Sequence, residues 1–432
     1  MPAVLCHDDG PSGVGAGDLF PAVAGRRLRG HRQRASIAWR AGDSLAIREF
    51  VGIPRNEGAA DHTTVWRTRR LIDLETHRQV FAWVVGLLAE VGLVKGKRMG
   101  IDATTWEAHA ALRSIVRRDN GESYEEFLKG LAKQSGMATP TREDLARVDR
   151  KRKKQGSKEE WVNPHDADAR ITKMKDGCTH LAHKAEHAVD MDTGAAVAVT
   201  LQEADLGDTT TVKETPAEAG TTVAELIARE AETRPAEKPQ VNLGGIEEVV
   251  ADKGYHSGPA LQERKAAGVR TYIPEKKQAG KRHGVGKEEE QQVVYANRQR
   301  LQRPKGKRLL RKRGEFIERT FAHCYESGGM RRTHLRKHNN ILKRLLVHVA
   351  AMNLGLLLRS VYGVGTPRSL PGLSLTLRFY IAMAGCACNS ENLHLIGAGV
   401  ACRHVVPPYY HPDLGTHFSL SEIQKATSTP GC

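Results

Sequence analysis

The sequence predicts an α/β protein in which a mixed sheet is flanked by helices and preceded by an N-terminal helical domain. Between residues 98 and 273, strand-like runs alternate with helical patterns, the order expected of a sheet that contains parallel strands. Residues 37–96 show helical periodicity alone. With 432 residues, 40% of them hydrophobic, the chain is long enough for a sizeable core and for two or three domains.

The N-terminal part divides into a leader and the helical domain. Residues 1–36 are dominated by Gly, Pro and Arg and show no periodicity, so we expect a disordered leader. In residues 37–96, Asp61 is the predicted N-cap of a first helix, and a second helix follows it. The first helix is cationic, and either nucleic-acid binding or ordinary surface exposure would explain its arginines. These are Arg67, Arg69 and Arg70.

The second predicted domain, residues 97–360, opens with a strand and a hairpin. The segment "RMGIDATT", residues 98–105, predicts a short strand that contains Asp102. A helical insertion at about 107–180 separates this strand from "HKAEHAVDMDTGAAVAVTLQ". The step from 192 to 194, Asp-Thr-Gly, predicts that this segment folds as a hairpin.

A βαβ unit and a long helix complete this domain. Residues 246–251 and 269–273 predict two parallel strands, joined by a helix that Ser257 caps and Gly268 ends. The last predicted element is the helix that contains "LLRKRGEFIERTFAH", which begins at residue 309. After it, residues 361–432 are predicted to form a loop-rich C-terminal tail.

Positive charge is concentrated near the end of the second domain. Residues 295–344 hold 16 Lys and Arg against three acids, and the whole chain has a pI of about 9.6. Such a concentration indicates a polyanionic partner, and nucleic acid is favoured. The predicted phosphate contacts are Arg311, Lys312, Arg313, Arg331, Arg332, Arg336, Lys343 and Arg344. His180, His183 and His187 are predicted to face phosphate or solvent, and metal binding is the alternative.

No segment is predicted to cross a membrane. The longest apolar run, residues 345–358, has 14 residues and includes His348 and Asn353, so it is too short and too polar. The N-terminus has no signal-peptide pattern, and seven cysteines form no disulfide-like framework. We therefore expect a cytoplasmic protein without a membrane partner.

Two aspartates stand out in this basic chain, and each also has an ordinary structural explanation. Asp102 interrupts a strand, where Asp is depleted unless something binds or caps it, although a solvent-facing edge strand would also tolerate it. Asp252 lies at the C-terminal end of a predicted parallel strand. Open α/β sheets bind their ligands at that end, although turns and helix caps use Asp too.

Helical spacing separates the two glutamates of the long helix. Glu315 has Arg311 and Arg319 four residues before and after it, which predicts a surface ion pair. Glu318 has no cation at such spacings and borders the apolar stripe of the helix, so we expect it to be half-buried. A carboxylate in that position needs a metal, a proton or a distant Arg, and Glu318 is therefore the third candidate.

The three acids Asp102, Asp252 and Glu318 suit metal-dependent chemistry on a phosphodiester. Two Mg²⁺ ions about 3.5–4 Å apart can activate an attacking oxygen and stabilise the leaving oxygen. Mg²⁺ binds hard oxygen ligands, and we expect Mn²⁺ to substitute for it. The sequence therefore predicts a two-Mg²⁺ site in these acids, with the surrounding cations holding DNA phosphates.

Four segments in this order resemble the DDE transposases of bacterial insertion sequences: "GIDATTWEAH", "VVADKGYHS", "GEFIERTFAHCYESGGMRRTHLR" and "NNILKRLLVHVAAMNLGLLLR". The resemblance covers about residues 37–365. It implies an RNase H-like core in which Asp102, Asp252 and Glu318 are the DDE metal ligands, and it makes the helical front domain the DNA-end-binding domain. A Tyr-x2-Arg-x3-Glu-x6-Lys signature found in some relatives is absent, because its other positions hold Arg311, Gly314 and Tyr325.

The leading hypothesis for function is a DNA transposase. It would cleave strands at element ends and transfer the 3′-hydroxyl into target DNA, acting on double-stranded DNA as a homodimer or larger assembly in the nucleoid. The alternative is a catalytically inactive or domesticated DNA-binding relative. A stand-alone nuclease is a third possibility, which the helical front domain disfavours because a simple nuclease needs no unit for site recognition.

Overall fold

The fold is that of a computed structural model, which describes residues 34–45, 48–49, 52–151, 159–174, 177–211, 213–236, 238–276 and 287–362. Apart from residues 34–36 and 361–362, the predicted leader and the predicted tail lie outside these ranges. The chain divides into two units, Met1–Leu71 with Leu354–Cys432, and Ile72–Asn353. The division falls after Leu71, ahead of the boundary that the sequence predicts at residue 96.

The described part of the first unit includes the short helices α1 (Arg34–Asp43) and α2 (His62–Leu71). Asp61 is the N-cap of α2, as predicted, because its carboxylate accepts a hydrogen bond of 2.6 Å from the Thr64 amide. The hydrogen bonds from Thr64 and Thr63 lower the pKa of Asp61 to about 2. The three arginines of α2 lie near its C-terminal end, where the helix dipole also favours cations.

The second unit begins with α3 (Leu74–Glu90), the second helix that the sequence predicts. Asp73 caps it by accepting a hydrogen bond of 2.8 Å from the Thr76 amide. Its buried side chains include Phe81, Val84 and Leu88. The turn that follows is anchored to the sheet, because the buried Asp190 carboxylate accepts hydrogen bonds from two amides in that turn, at 2.7 and 2.9 Å.

A six-stranded mixed sheet forms the centre of this unit. The strands of the described chain are β1 (Arg98–Glu107), β2 (Val116–Arg117), β3 (Trp161–Val162), β4 (Arg170–Lys173), β5 (Thr179–Asp190), β6 (Ala196–Glu203), β7 (Glu248–Ala251) and β8 (Arg270–Tyr272). β1 lies between antiparallel β5 and parallel β7, and β8 continues the sheet beyond β7. On its other edge β5 pairs antiparallel with β4 and then with β6.

The β5–β6 hairpin confirms the prediction made from the Asp-Thr-Gly step. Gly194 has φ +85° at the turn, a conformation that glycine adopts without strain. The strands themselves are almost entirely buried, which explains why their sequence alternates so little between apolar and polar residues.

The insertion between β1 and β5 is only partly helical, so the prediction of a helical segment was wrong for part of it. It contains α4 (Tyr124–Gln134) and α5 (Arg142–Lys151), but also the small β2–β3 sheet and strand β4. Its core forms around Trp161, whose ring lies edge-on to Tyr124 at 5.0 Å and to Phe127 at 5.4 Å. Strand pairs this short carry too few residues to give a visible period-2 pattern.

The βαβ unit is confirmed. After the hairpin come α6 (Asp208–Thr211) and α7 (Glu214–Thr233), then β7, α8 (Gly258–Ala266) and β8. The Ser257 hydroxyl caps α8 by accepting a hydrogen bond of 3.3 Å from the Ala260 amide. Gly268 ends that helix with φ +73°, and β7 and β8 are parallel.

Three helices complete the described chain: α9 (Glu288–Gln302), α10 (Pro304–Glu326) and α11 (His338–Tyr362). The predicted apolar stripe of α10 is buried. By length and composition, α11 could cross a membrane. The sequence did not indicate this, because its apolar run of 14 residues is shorter than the helix. More than half of its most apolar window is buried inside the protein, and core helices meet the same criterion.

Candidate active site

Two aspartates meet at one end of the sheet. β1 and β7 are parallel neighbours in which Ile101 lies opposite Ala251. Asp102 follows this pair on β1 and Asp252 follows it directly after β7, so their backbones lie side by side at the carboxyl end of β7. This is the edge at which open α/β sheets bind ligands. The structure therefore brings together two of the three carboxylates that the sequence selected.

The guanidinium of Arg313 lies against both aspartates. Its Nη1 is 2.6 Å from Oδ2 of Asp102, and its Nη2 is 4.0 Å from Oδ1 of Asp252. The Arg313 side chain is 15% exposed. Burial raises the pKa of Asp102, and the neighbouring charge of Asp252 adds to that rise, whereas the Arg313 guanidinium opposes it. The charge of Arg313 is turned inward to these carboxylates, so its contact with DNA phosphate stays a prediction.

Glu318 differs from its sequence prediction in burial. It is exposed rather than half-buried, because it lies about 100° around α10 from the buried Ile317. It makes no hydrogen bond or ion pair with any residue in the described part of the chain. The prediction for Glu315 is confirmed, because its carboxylate accepts a hydrogen bond from Arg319, four residues later.

The helix that carries Glu318 runs along β1. A Cβ atom built on Gly100 would lie 3.2 Å from Ile317, so this helix packs closely over the strand there. Further along, the Tyr325 hydroxyl lies 2.5 Å from the Thr104 hydroxyl. Glu318 and Tyr325 are seven residues apart and so share one face of α10. Gly100 and Thr104 flank Asp102 on β1, so residues 317–325 of α10, which include Glu318, run beside the part of β1 that holds Asp102.

The two aspartates fit a divalent cation in their chemistry. Adjacent carboxylates are the hard oxygen donors that Mg²⁺ and Mn²⁺ prefer, and a positive group is already held against both of them. Glu318 does not complete this pair. Among the residues that the structure describes, no three His, Cys, Asp or Glu side chains are grouped closely enough to hold a metal ion. The predicted convergence of Asp102, Asp252 and Glu318 is therefore seen for the aspartates alone.

A buried network behind the sheet positions the turn that follows Asp252. The Tyr255 hydroxyl donates a hydrogen bond of 2.7 Å to the carboxyl group of Glu186 on β5. Thr215 donates to the other oxygen of Glu186. Burial raises the pKa of Glu186, and burial followed by the charge of Glu186 raises the pKa of Tyr255. Sequence reasoning missed this pair, although a glutamate inside a predicted hairpin strand was a visible signal.

The space around that turn is tightly filled. A Cβ atom on Gly254 would lie 2.1 Å from the carboxylate of Asp208, so only glycine fits there without displacing it. Asp208 in turn forms an ion pair of 2.6 Å with the buried Lys184. The backbone of residues 252–255 is thus held from both sides.

The histidines of β5 are not surface groups. His183 and His187 are fully buried, which corrects the prediction that they face phosphate or solvent. His187 lies opposite Asp102 in the sheet. Thr320 of α10 donates to the Ile317 carbonyl, so its hydroxyl accepts a hydrogen bond of 2.8 Å from Nδ1 of His187. This contact joins the helix of Glu318 to the strand beside Asp102.

The predicted phosphate-binding cations differ in exposure and in their partners. Arg344 donates hydrogen bonds of 2.7 Å to the carbonyls of Thr333 and Gly328, and Lys343 donates one of 2.7 Å to the carbonyl of Ile72. For these two residues the prediction of a phosphate contact is corrected, because their charges stabilise backbone inside the unit. Lys312 is half-buried over the ring of Phe316. The predicted cations that remain exposed in this unit are Arg311, Arg331, Arg332 and Arg336.

Comparison with known proteins identifies the family. The model of the transposase DDE domain matches residues 100–354, which is more than half of the chain. No curated protein and no solved structure matches the chain. The family implies an RNase H-like fold, DNA as substrate and the use of divalent metals, and the mixed α/β architecture agrees with that fold. The chain belongs to the family of transposases with a DDE domain.

Proposed function

We propose that this transposase belongs to a bacterial insertion sequence, cuts DNA at the ends of that element and joins the freed 3′-hydroxyl to target DNA. One observation carries the proposal. Asp102 and Asp252 each follow the last pair of parallel β1 and β7 by one residue, inside the segment that matches the DDE domain, and this supports a shared ligand site. A phosphodiester is the substrate class that suits carboxylates surrounded by exposed cations.

Asp102, Asp252 and Glu318 would together hold two Mg²⁺ ions, for which Mn²⁺ can substitute. When bound, such ions activate the attacking oxygen and stabilise the leaving oxygen of a phosphodiester. The chain itself supplies rigidity at two of these ligands. Asp102 is paired with β5 and directly follows the residues of β1 that pair with β7, and Asp252 precedes the turn that Tyr255 anchors. Glu318 is supported by its place on the part of α10 that runs beside β1, and its exposure leaves it accessible to DNA.

The exposed cations would hold the DNA backbone. Arg311 lies on the same face of α10 as Glu318, two helical turns before it, and makes no ion pair among the described residues. A phosphate bound there would place the adjoining DNA strand along the face that carries Glu318. Arg331, Arg332 and Arg336 extend the basic surface of this unit, and the arginines of α2 would bind the element ends. The working form would be a homodimer or larger assembly on DNA in the cytoplasm.

The test is cleavage of a labelled duplex that carries the element's terminal repeats, with Glu318→Gln compared with Glu315→Gln. Gln keeps the volume and one acceptor oxygen but removes the charge that a metal ligand needs, so Glu318→Gln should lose at least about a hundredfold in cleavage rate. Glu315→Gln removes only an exposed ion pair and should cost less than about threefold. Cleavage by Glu318→Gln at the wild-type rate would exclude it as the third ligand.

The same assay decides between an enzyme and an inactive DNA-binding relative. The wild type should cleave with Mg²⁺ or Mn²⁺ and should bind the ends without cleaving them when Ca²⁺ is supplied, because the larger and looser shell of Ca²⁺ misplaces the attacking oxygen. If the wild type bound the ends specifically but cleaved with none of these metals, the inactive relative would be the correct description.

A further inference from the structure

Arg313 occupies the position in which the proposed function needs a metal ion. Its guanidinium makes a close contact with Asp102 and a longer one with Asp252, at 2.6 and 4.0 Å. Two neighbouring carboxylates repel each other, and a cation that contacts both of them relieves that repulsion. Arg313 provides one positive charge where a divalent cation would provide two.

The position of Arg313 is built into the fold. Its stem crosses β1 at Gly100, where its Cγ would lie 3.5 Å from a Cβ atom. The same hypothetical Cβ would lie 2.5 Å from the sulfur of Met191, so the space over Gly100 is completely used. A larger residue at position 100 would displace the side chains that line this passage. The Arg313 contact is therefore specific to this arrangement of β1 and α10.

The hold of Arg313 on the carboxylates is incomplete. Its Nε is buried and has no hydrogen-bond partner among the described residues, and the second arm of its fork is too far from Asp252 for a hydrogen bond. A buried donor without a partner is unfavourable, so this state is easier to leave than a fully bidentate pair. Arg313 lies beside the two aspartates at which the proposed function places a DNA phosphodiester.

We propose that the Arg313 guanidinium and a divalent cation are alternative partners of the Asp102–Asp252 pair, and that a DNA phosphate accepts Arg313 when the metal binds. The inference rests on the proposed function, since it needs both DNA and metal at this site. Its consequence is coupling. DNA removes the competitor of the metal, so DNA tightens metal binding, and by thermodynamic reciprocity metal tightens DNA binding by the same factor. The metal site is then weak until DNA is present.

The experiment measures Mn²⁺ binding to the full chain by electron paramagnetic resonance of the free ion, with and without a short duplex. Arg313→Gln is compared with Arg319→Gln, which removes the same charge from an exposed position of the same helix. Without DNA, Arg313→Gln should bind Mn²⁺ about tenfold more tightly than the wild type, and Arg319→Gln should match the wild type. The duplex should tighten binding about tenfold in the wild type and little in Arg313→Gln. A control sample that contains the duplex without the protein corrects for Mn²⁺ bound to the DNA.

Equal or weaker Mn²⁺ binding by a folded Arg313→Gln, without DNA, would overturn the proposal. Folding is checked by circular dichroism and the denaturation midpoint. If that variant does not fold, the wild type alone tests the proposal. A duplex that leaves the Mn²⁺ affinity of the wild type unchanged also overturns it. The proposed function fails separately. The proposed function is contradicted if neither the wild type nor Arg313→Gln binds Mn²⁺, even with DNA. If the wild type cleaves DNA normally but DNA does not change its Mn²⁺ affinity, only the exchange of Arg313 for the metal is contradicted.

Discussion

At the residue scale, the hydroxyl of Tyr255 is one of the main supports of the turn that follows Asp252. Its partner Glu186 is fully buried, so loss of the donor leaves a buried carboxyl oxygen with only a weak contact from Thr211 at 3.4 Å. We expect Tyr255→Phe to lower the free energy of unfolding by about 1.5–3 kcal/mol, the range for hydrogen bonds to charged groups. Chemical denaturation of the full chain measures this change.

Tyr272→Phe is the matched control. The Tyr272 hydroxyl also donates to a buried carboxylate, that of Glu248, at 3.2 Å. Glu248 keeps Lys305 at 2.5 Å and Arg98 at 3.4 Å after that substitution, so the loss should stay below about 1 kcal/mol. Equal losses in the two variants would show that Glu186 does not depend on Tyr255.

His187 makes the stability of the protein sensitive to acid. Complete burial lowers its pKa to about 3, whereas the unfolded chain has a pKa of about 6.5 at this residue. Below pH 6.5 His187 is protonated in the unfolded state but stays neutral in the folded state. The free energy of unfolding therefore decreases as the pH falls toward 3. Above pH 6.5 the residue is neutral in both states and contributes no pH dependence.

The acid sensitivity is tested with His187→Asn, which retains a donor near the Thr320 hydroxyl but cannot titrate. The denaturation midpoint of the wild type should fall more between pH 7.5 and pH 5 than that of the variant, whatever their difference at pH 7.5. Parallel pH profiles would contradict the assignment, and would show that other buried groups cause any acid loss.

At the scale of elements, α11 is fastened to the edge of the sheet by one buried amide. The Asn353 side chain donates to the Ala196 carbonyl at 2.8 Å and accepts from its amide at 3.0 Å. Asn353→Ala would leave both backbone groups unsatisfied and should cost about 2–4 kcal/mol of unfolding free energy. Asn340→Ala, in the exposed first turn of the same helix, should cost less than about 1 kcal/mol. Similar costs in urea denaturation would contradict the role of Asn353.

Elements with a local signature could be predicted from the sequence. The hairpin at Gly194, the Asp61 cap and the parallel strands around Asp252 each depend on residues close in the chain, and the structure confirms them. The pair of Asp102 with Arg313 could not be predicted, because 211 residues separate them and only the sheet brings them together. Helical spacing also cannot show how wide a buried stripe is, which is why Glu318 was expected to be half-buried.

At the scale of the whole molecule, the positive charge has more than one use. Arg313, Lys343 and Arg344 are engaged with carboxylates or backbone carbonyls, and several surface arginines have acidic partners. The number of cations in the sequence therefore exceeds the number available to phosphate. A cation contributes to the salt dependence of DNA binding only if it contacts a phosphate and releases a counterion. The slope of log affinity against log salt therefore measures how many cations contact DNA.

The last prediction follows from that count. Six to ten phosphate contacts would reduce DNA affinity about 10³–10⁵-fold between 50 and 200 mM salt. Arg311→Gln should lower the slope of log affinity against log salt by about 0.9, because its charge has no acidic partner among the described residues. Arg319→Gln should lower it less, because Arg319 is paired with Glu315. Fluorescence anisotropy of a labelled duplex measures each slope. A flat dependence in the wild type would contradict phosphate binding by this surface, and equal slopes for Arg311→Gln and the wild type would remove Arg311 from it.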